Sequence, residues 1–216
     1  RFCFGPLKET AMFIPKSFEV SDTTVLHDLI DADPFGILVG MREQAPYASH
    51  IPFVLDRNRG PKGTLCAHVA RNNPQGESFD GDQQMLAIFQ GPHGYISPRW
   101  YNPGNAVPTW NYAAVHAYGT PGVITDAAEI RRQQEILIAN FEGAAGWTID
   151  DQPERYIEGM LDGITAFEIP IDRLEGKFKL SQNRSVEDRN SVIAALSARE
   201  SPWDHALARL MHQHAF

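Results

Sequence analysis

The sequence predicts a mostly β fold with peripheral helices, an α+β class in which the strands form a closed or partly closed barrel. Six to seven segments of strand length are separated by turns rich in Gly, Pro and Asn, a pattern typical of antiparallel hairpins. Helix-capping signals concentrate toward the two ends of the chain. This distribution argues against a doubly wound parallel sheet, in which helices alternate with strands.

The strands are recognised as apolar or alternating runs between turn residues. Pro34 precedes the first strand, and Asn72-Asn73-Pro74 ends the third. Pro170 lies inside the last strand and indicates an edge strand or a bulge. The predicted strands cover residues 35–41, 46–56, 64–70, 85–90, 107–119 and 164–174, with shorter segments at 95–97 and 121–125.

The helices are predicted from capping residues followed by a periodic apolar face. Ser185 with Asp188 and Ser201 with Pro202 are two such starts near the C-terminus. A Gly-containing segment after Glu142 ends the longest predicted helix. The predicted helices cover residues 22–32, 126–142, 153–161, 185–199 and 201–212.

Length and composition limit the classes of protein that the chain can belong to. Its 216 residues suit one generous domain or two small ones, and its net charge of −8 disfavours general binding to nucleic acid. We expect residues 1–11 to be a leader or an added segment, 12–175 a barrel domain with inserted helices, and 176–216 a cofactor loop with helices packed on the barrel. The absence of an apolar run of membrane-spanning length and of a signal pattern, together with only two cysteines, predicts a reduced, cytoplasmic protein.

The catalytic motifs that sequence alone can recognise are missing. There is no G-x-G-x-x-G after a strand, no Walker loop, no G-x-S-x-G and no H-E-x-x-H. The sequence therefore identifies no catalytic residue and leaves open whether the protein is an enzyme. His212 and His214 near the C-terminus are better explained as solvated side chains than as metal ligands, so no metal site is predicted.

The most informative stretch is GKFKLSQNRS, residues 176–185. It combines three cations with Ser181, Gln182 and Asn183 around two apolar residues. Cationic and amide donors at this density suit an anionic, hydrogen-bonding ligand such as a phosphorylated cofactor. The alternative is a solvated loop that leads into a helix.

Four further stretches add polar and aromatic groups. Ser49 and His50 lie within one predicted strand, where His50 is either a core histidine or a ligand contact. Arg71 and two asparagines follow the strand that contains His68. This strand end is either a phosphate-binding site or a surface turn. The aromatic residues of 89–101 and 107–119 either fill a core or line a flat slot. An aromatic slot, cations and amides match FMN, although composition does not distinguish FMN from other phosphorylated ligands.

Five motifs in this order resemble the PaiB family of FMN-binding split-barrel proteins, whose members are labelled negative transcriptional regulators. The motifs are YASHIPFVLDR, AHVARNNPQ, IFQGPHGYISPRWY, VPTWNYAAVHAYG and GKFKLSQNRS, and the resemblance extends from Met12 to about Leu210. It implies a split β-barrel of the FMN-binding type, homodimeric, with the flavin at the subunit interface. Cys66 and Asn72 stand where the family pattern leads us to expect Gly and Ala.

The resemblance also implies roles for single residues. It places Ser49, His50, Ile51 and Pro52 beside the isoalloxazine ring. It assigns His68, Ala70, Arg71 and Asn72 to the ribityl phosphate, and Lys177, Ser181 and Gln182 to closing the site. Trp100, Trp110 and Tyr112 would form a wall or an interface.

Two functions are compatible with this resemblance. The first is an FMN-binding negative transcriptional regulator or flavin-dependent sensor, in which direct contact with DNA is disfavoured because the helices at 185–199 and 201–212 lack a basic face. The second is a flavin reductase-like or haem-handling oxidoreductase on the same barrel, and the sequence leaves open whether the protein is such an FMN-dependent oxidoreductase. A protein that kept the barrel without the cofactor is a third reading, since fold does not determine function.

Overall fold

The structure is a computed structural model that describes residues 12–79, 82–102, 104, 106–143 and 146–214. It is a mixed α+β fold built from antiparallel strand pairs, which confirms the predicted class. The described chain divides into two compact units. We call residues 21–91 and 114–174 the central unit, and residues 12–20, 92–113 and 175–214 the terminal unit. The predicted leader, residues 1–11, lies outside the described residues.

The strands form two sheets. The six-stranded sheet has the order β1-β10-β7-β6-β2-β3, and the four-stranded sheet has the order β4-β5-β9-β8. The strands are β1 (Glu19–Val20), β2 (Phe35–Arg42), β3 (Ala45–Pro52), β4 (Val54–Asp56), β5 (Thr64–Ala70), β6 (Met85–Ile96), β7 (Thr109–Gly119), β8 (Gly122–Val123), β9 (Ile164–Pro170) and β10 (Arg173–Lys179).

Five α-helices occur in the described part of the chain, each near its predicted position. They are α1 (Thr23–Ala32), α2 (Ala127–Glu142), α3 (Glu154–Asp162), α4 (Val186–Ser197) and α5 (Pro202–Gln213). The predicted caps form: the Ser185 side chain accepts from the N–H of Asp188, and the Ser201 side chain accepts from that of Asp204. Among the described residues, no helix is long and apolar enough to cross a membrane.

Strand boundaries differ from the prediction where long-range pairing decides them. The predicted strand 46–56 is divided at Phe53, since β3 pairs with β2 whereas β4 pairs with β5. The predicted end at residue 90 was wrong, because β6 lies between β7 and β2 in its sheet and continues to Ile96. The two-residue strand β1 is defined by a distant partner, because Glu19 pairs with Lys177.

Each unit has its own buried apolar residues. In the central unit, Phe53 packs edge-on against Phe89 with ring centroids 5.4 Å apart, and both side chains are buried. In the terminal unit, Phe178 of β10 is buried, as are Leu196 of α4 and Leu207 of α5. The alternation of β10 therefore places Lys177 and Lys179 on the face opposite Phe178.

Candidate functional site

The central unit brings two of the predicted motifs together. The Nδ2 of Asn73, in the turn after β5, donates to Oγ of Ser49 on β3 over 3.1 Å. Asn73 Oδ1 also accepts from the N–H of Gln75 and so caps the 3-10 turn Pro74–Ser78. The Nε2 of Gln75 donates to the carbonyl of Leu38 on β2. These bonds fix the end of β5 beside the β2–β3 hairpin.

Arg71 is anchored at this turn but keeps part of its guanidinium available. Its backbone N–H donates to the carbonyl of Gly163 over 2.8 Å, and its Nε donates to the carbonyl of Asp162 at the end of α3. Its two terminal nitrogens make no hydrogen bond to a described residue. With Ala70 and Asn72 exposed on either side, the turn offers a planar pair of donors to solvent.

The four predicted ring contacts lie on β3 but point to two faces. Ser49 and Ile51 share the inner face, where Ile51 is buried. His50 lies opposite Ile37 on the outer face of the hairpin, and its ring centroid is 6.5 Å from that of Phe35. Pro52 is half-buried on this same outer face.

The outer face of the hairpin is apolar and solvent-accessible. Phe35 is 60% exposed and Met41 is 43% exposed. No residue with a formal charge at neutral pH lies on this face of β2 or β3, because Arg42 belongs to the inner face. The face consists of Phe35, Ile37, Val39, Met41, Pro46, Ala48, His50 and Pro52.

His68 has different surroundings from the other predicted phosphate ligands. Its side chain lines a cleft of about 450 Å³ whose other described walls come from α2, the segment 147–152, α3 and the start of β9. Its Nδ1 is buried and has no hydrogen-bond partner among the described residues. Burial lowers the pKa of His68, so the neutral imidazole is favoured.

In the terminal unit, the cations of 176–185 are partly engaged with their own unit. Lys177 Nζ donates to the carbonyl of Phe13 over 2.8 Å and lies 5.5 Å from the ring centroid of Tyr112. Lys179 Nζ donates to Oγ1 of Thr109 over 2.7 Å. Burial, followed by the charge of Lys177, lowers the pKa of Lys179.

Ser181 and Gln182 are held inside the terminal unit. Ser181 is 4% exposed, has φ +64°, and its Oγ accepts from Nδ2 of Asn111 over 2.9 Å. Gln182 accepts from the N–H of Leu180 and donates to the carbonyl of Phe178. Both side chains thus stabilise the turn after β10, and their assignment to a cofactor stays a prediction.

Aromatic residues of the terminal unit cluster at an exposed surface. Trp110 is 54% exposed and its ring centroid is 6.3 Å from that of Tyr95. His93 lies between Trp110 and Trp203, at 6.4 Å and 5.2 Å. These rings lie at the surface and are not packed in the core, as a ligand-binding slot or an interface requires.

Sequence reasoning did not single out two sets of residues. Asn73 was recognised as part of the strand end, but its bond to Ser49 joins positions 24 residues apart and leaves no local signal. The cleft-lining Gln134, Trp147 and Tyr156 were also missed. One sequence pattern could have indicated the cleft. Tyr156 and Met160 lie four residues apart on the amphipathic helix α3, and both side chains are exposed.

Comparisons with known proteins identify the family to which the chain belongs. Residues 12–173 match the model of a family described as "Putative FMN-binding domain". The chain is 33% identical over 202 residues to the protease synthase and sporulation protein PAI 2 of Bacillus subtilis, covering 93% of this chain and 96% of that protein.

Solved structures share the fold at low sequence identity. The FAD- and haem-binding protein of Mycobacterium smegmatis is 20% identical with a TM-score of 0.58, over 82% of this chain and 79% of its own. The flavocytochrome Anf3 of Azotobacter vinelandii is 14% identical with a TM-score of 0.61, over 80% of this chain and 75% of its own.

Proposed function

Because this chain belongs to the PaiB family of proteins with an FMN-binding domain, we propose that it binds FMN and acts as a flavin-dependent sensor in negative transcriptional regulation. The observation that supports this most directly is the hydrogen bond between Asn73 and Ser49, which joins the ring motif to the phosphate motif.

The turn after β5 has the chemistry that a ribityl phosphate requires. The terminal nitrogens of Arg71 form a fork that matches two phosphate oxygens, and its Nε is already held by the carbonyl of Asp162. Because one guanidinium nitrogen is fixed, little side-chain entropy remains to be lost when phosphate binds. Asn72 and the hydroxyl of Ser49 supply further hydrogen bonds.

The outer face of the β2–β3 hairpin supports a homodimer of split barrels. This face has no charged residue but exposes Phe35 and Met41. A second copy of the same apolar surface can therefore bury these side chains without burying an unpaired charge. His50 lies in this face, so dimerisation would desolvate the strand beside which the isoalloxazine ring is proposed to lie. In this dimer, Lys177, with Ser181 and Gln182, is proposed to close the flavin site of the partner subunit.

When bound, flavin supplies one- and two-electron redox chemistry. The residues of this chain orient the ring, hold the phosphate and exclude water. We propose that the redox state or a ligand of the flavin shifts the dimer between two forms. The first turn of α4 contains Glu187 and Asp188, and that of α5 contains Asp204, so these helix starts do not favour direct contact with DNA phosphates.

A visible spectrum of the purified protein tests the proposal. After addition of FMN and desalting, the absorption bands of flavin are expected to correspond to one bound FMN per subunit. Light scattering is expected to give the mass of a dimer. A protein that retains no flavin, whether oxidised or reduced, contradicts it. Steady-state oxidation of NADH and NADPH in the presence of FMN separates the two functions. A flavin reductase oxidises the nicotinamide over many turnovers, whereas a sensor does not.

A further inference from the structure

The cleft that His68 lines has the properties of a second ligand site. Its volume of about 450 Å³ lies within the range of about 300–1,000 Å³ that small-molecule sites occupy. It lies entirely within the central unit, between α2, α3 and the sheet strands β5 and β9.

Two polar side chains in the cleft lack partners. Nδ1 of His68 is buried without a hydrogen bond to a described residue. Gln134 is 9% exposed, lines the cleft, and its amide makes no hydrogen bond within the described chain. Buried polar groups are nearly always hydrogen-bonded, so the unpartnered Nδ1 of a histidine that lines the cleft, with an unbonded amide beside it, favours a ligand that supplies a hydrogen-bonding group.

The remaining walls define the chemistry of that partner. Trp147 is 40% exposed, and Tyr156 and Met160 are more than half exposed, so rings and a thioether are accessible from solvent. None of the described lining residues is Lys, Arg, Asp or Glu. Burying an unpaired charge here would be costly, which disfavours the phosphate of FMN and favours an uncharged ligand.

The walls are held in place without the ligand. Arg131 of α2 donates to Asp150 over 2.9 Å and to Glu154 at the start of α3 over 2.9 Å. Both bonds tie α2 to the segments that carry Trp147 and Tyr156. A cleft that is formed in advance binds its ligand with a smaller entropic cost.

We propose that this cleft binds an uncharged aromatic molecule whose hydrogen-bonding group pairs with Nδ1 of His68 and the amide of Gln134. The neutral imidazole presents either a donor or an acceptor at Nδ1, depending on its tautomer, so hydroxyl, amide and carbonyl groups all fit. The proposal stands whether or not the chain binds flavin.

The test uses two probes that share a ring and differ in charge, 2-naphthamide and 2-naphthoate, added to the whole protein at neutral pH without flavin. The indole N–H signal of Trp147, assigned by its loss in Trp147→Phe, reports binding by NMR. Saturable binding of naphthamide with a dissociation constant below about 1 mM is expected, at least about tenfold tighter than naphthoate. No saturable shift, or equal affinity for both probes, overturns the proposal.

Two variants locate the site. Met160→Lys places a charge at the cleft and is expected to weaken naphthamide binding at least tenfold. Phe141→Lys introduces the same charge at an exposed α2 residue that does not line the cleft and is expected to bind as the wild type does. His68→Phe keeps a ring but removes Nδ1, and a several-fold loss is expected. Unchanged affinity in both Met160→Lys and His68→Phe overturns the assignment.

Discussion

The turn after β5 and the segment 176–185 contain similar donors, but the fold uses them differently. At the turn, Arg71 keeps two guanidinium nitrogens available and Asn72 is exposed. In the segment 176–185, Ser181 is buried against Asn111 and Gln182 bonds to its neighbours' backbone. The density of donors in a sequence therefore does not measure how many of them can reach a ligand.

The comparison predicts opposite outcomes for two asparagines. Asn111→Ala leaves the buried hydroxyl of Ser181 without its partner and is expected to lower the free energy of unfolding by about 1–3 kcal/mol. Asn72→Ala removes an exposed side chain and is expected to leave stability within about 0.5 kcal/mol. Urea denaturation measures both, and equal losses of stability would show that the two regions do not differ as described.

The affinity for FMN is expected to depend more on the turn after β5 than on the segment 176–185. Arg71→Ala removes charge-assisted hydrogen bonds and is expected to weaken FMN binding by about ten- to a hundredfold without lowering the melting temperature. Lys177→Ala should weaken it by no more than about threefold, because this amine already donates to Phe13. Flavin fluorescence titration measures both. A larger effect of Lys177→Ala would make the segment 176–185 the main phosphate contact.

The ion pairs of a surface cation can also connect separate segments of the chain. Arg131 pairs with Glu135, Asp150 and Glu154, whereas Arg132 pairs with Glu129 on its own helix. Arg131→Ala is expected to speed amide hydrogen exchange in residues 149–162, and Arg132→Ala is expected to leave it unchanged. Equal exchange in the two variants would mean that the Arg131 bridges do not order this region.

The smallest expected effect concerns pH. Because burial lowers the pKa of His68 in the folded chain, the unfolded chain binds more protons, and stability is lost as the pH falls through the ordinary value of 6.5. His214 acts in the same direction, since burial also lowers its pKa. His68→Phe is therefore expected to reduce, but not abolish, the fall in melting temperature between pH 7.5 and 5.5. A fall as large as that of the wild type would assign the effect to other groups.

The sequence by itself determined the features that depend on neighbouring residues. The α+β class, the five helices and the caps at Ser185 and Ser201 all follow from local patterns, because each cap joins groups three residues apart. The strand predicted at 164–174 covers β9 and only the first two residues of β10, whose pairing with β1 was not anticipated. The motif order was enough to identify the family.

Only the tertiary structure decided which predicted site residues are available. The partner of Ser181 is 70 residues away, that of Ser49 is 24 away, and the carbonyl that holds Arg71 is 91 away. The cleft at His68 likewise requires α2, α3 and β9 to meet β5. Contacts at these separations depend on how the strands pair and on where the helices pack, and neither local propensity nor residue spacing specifies that.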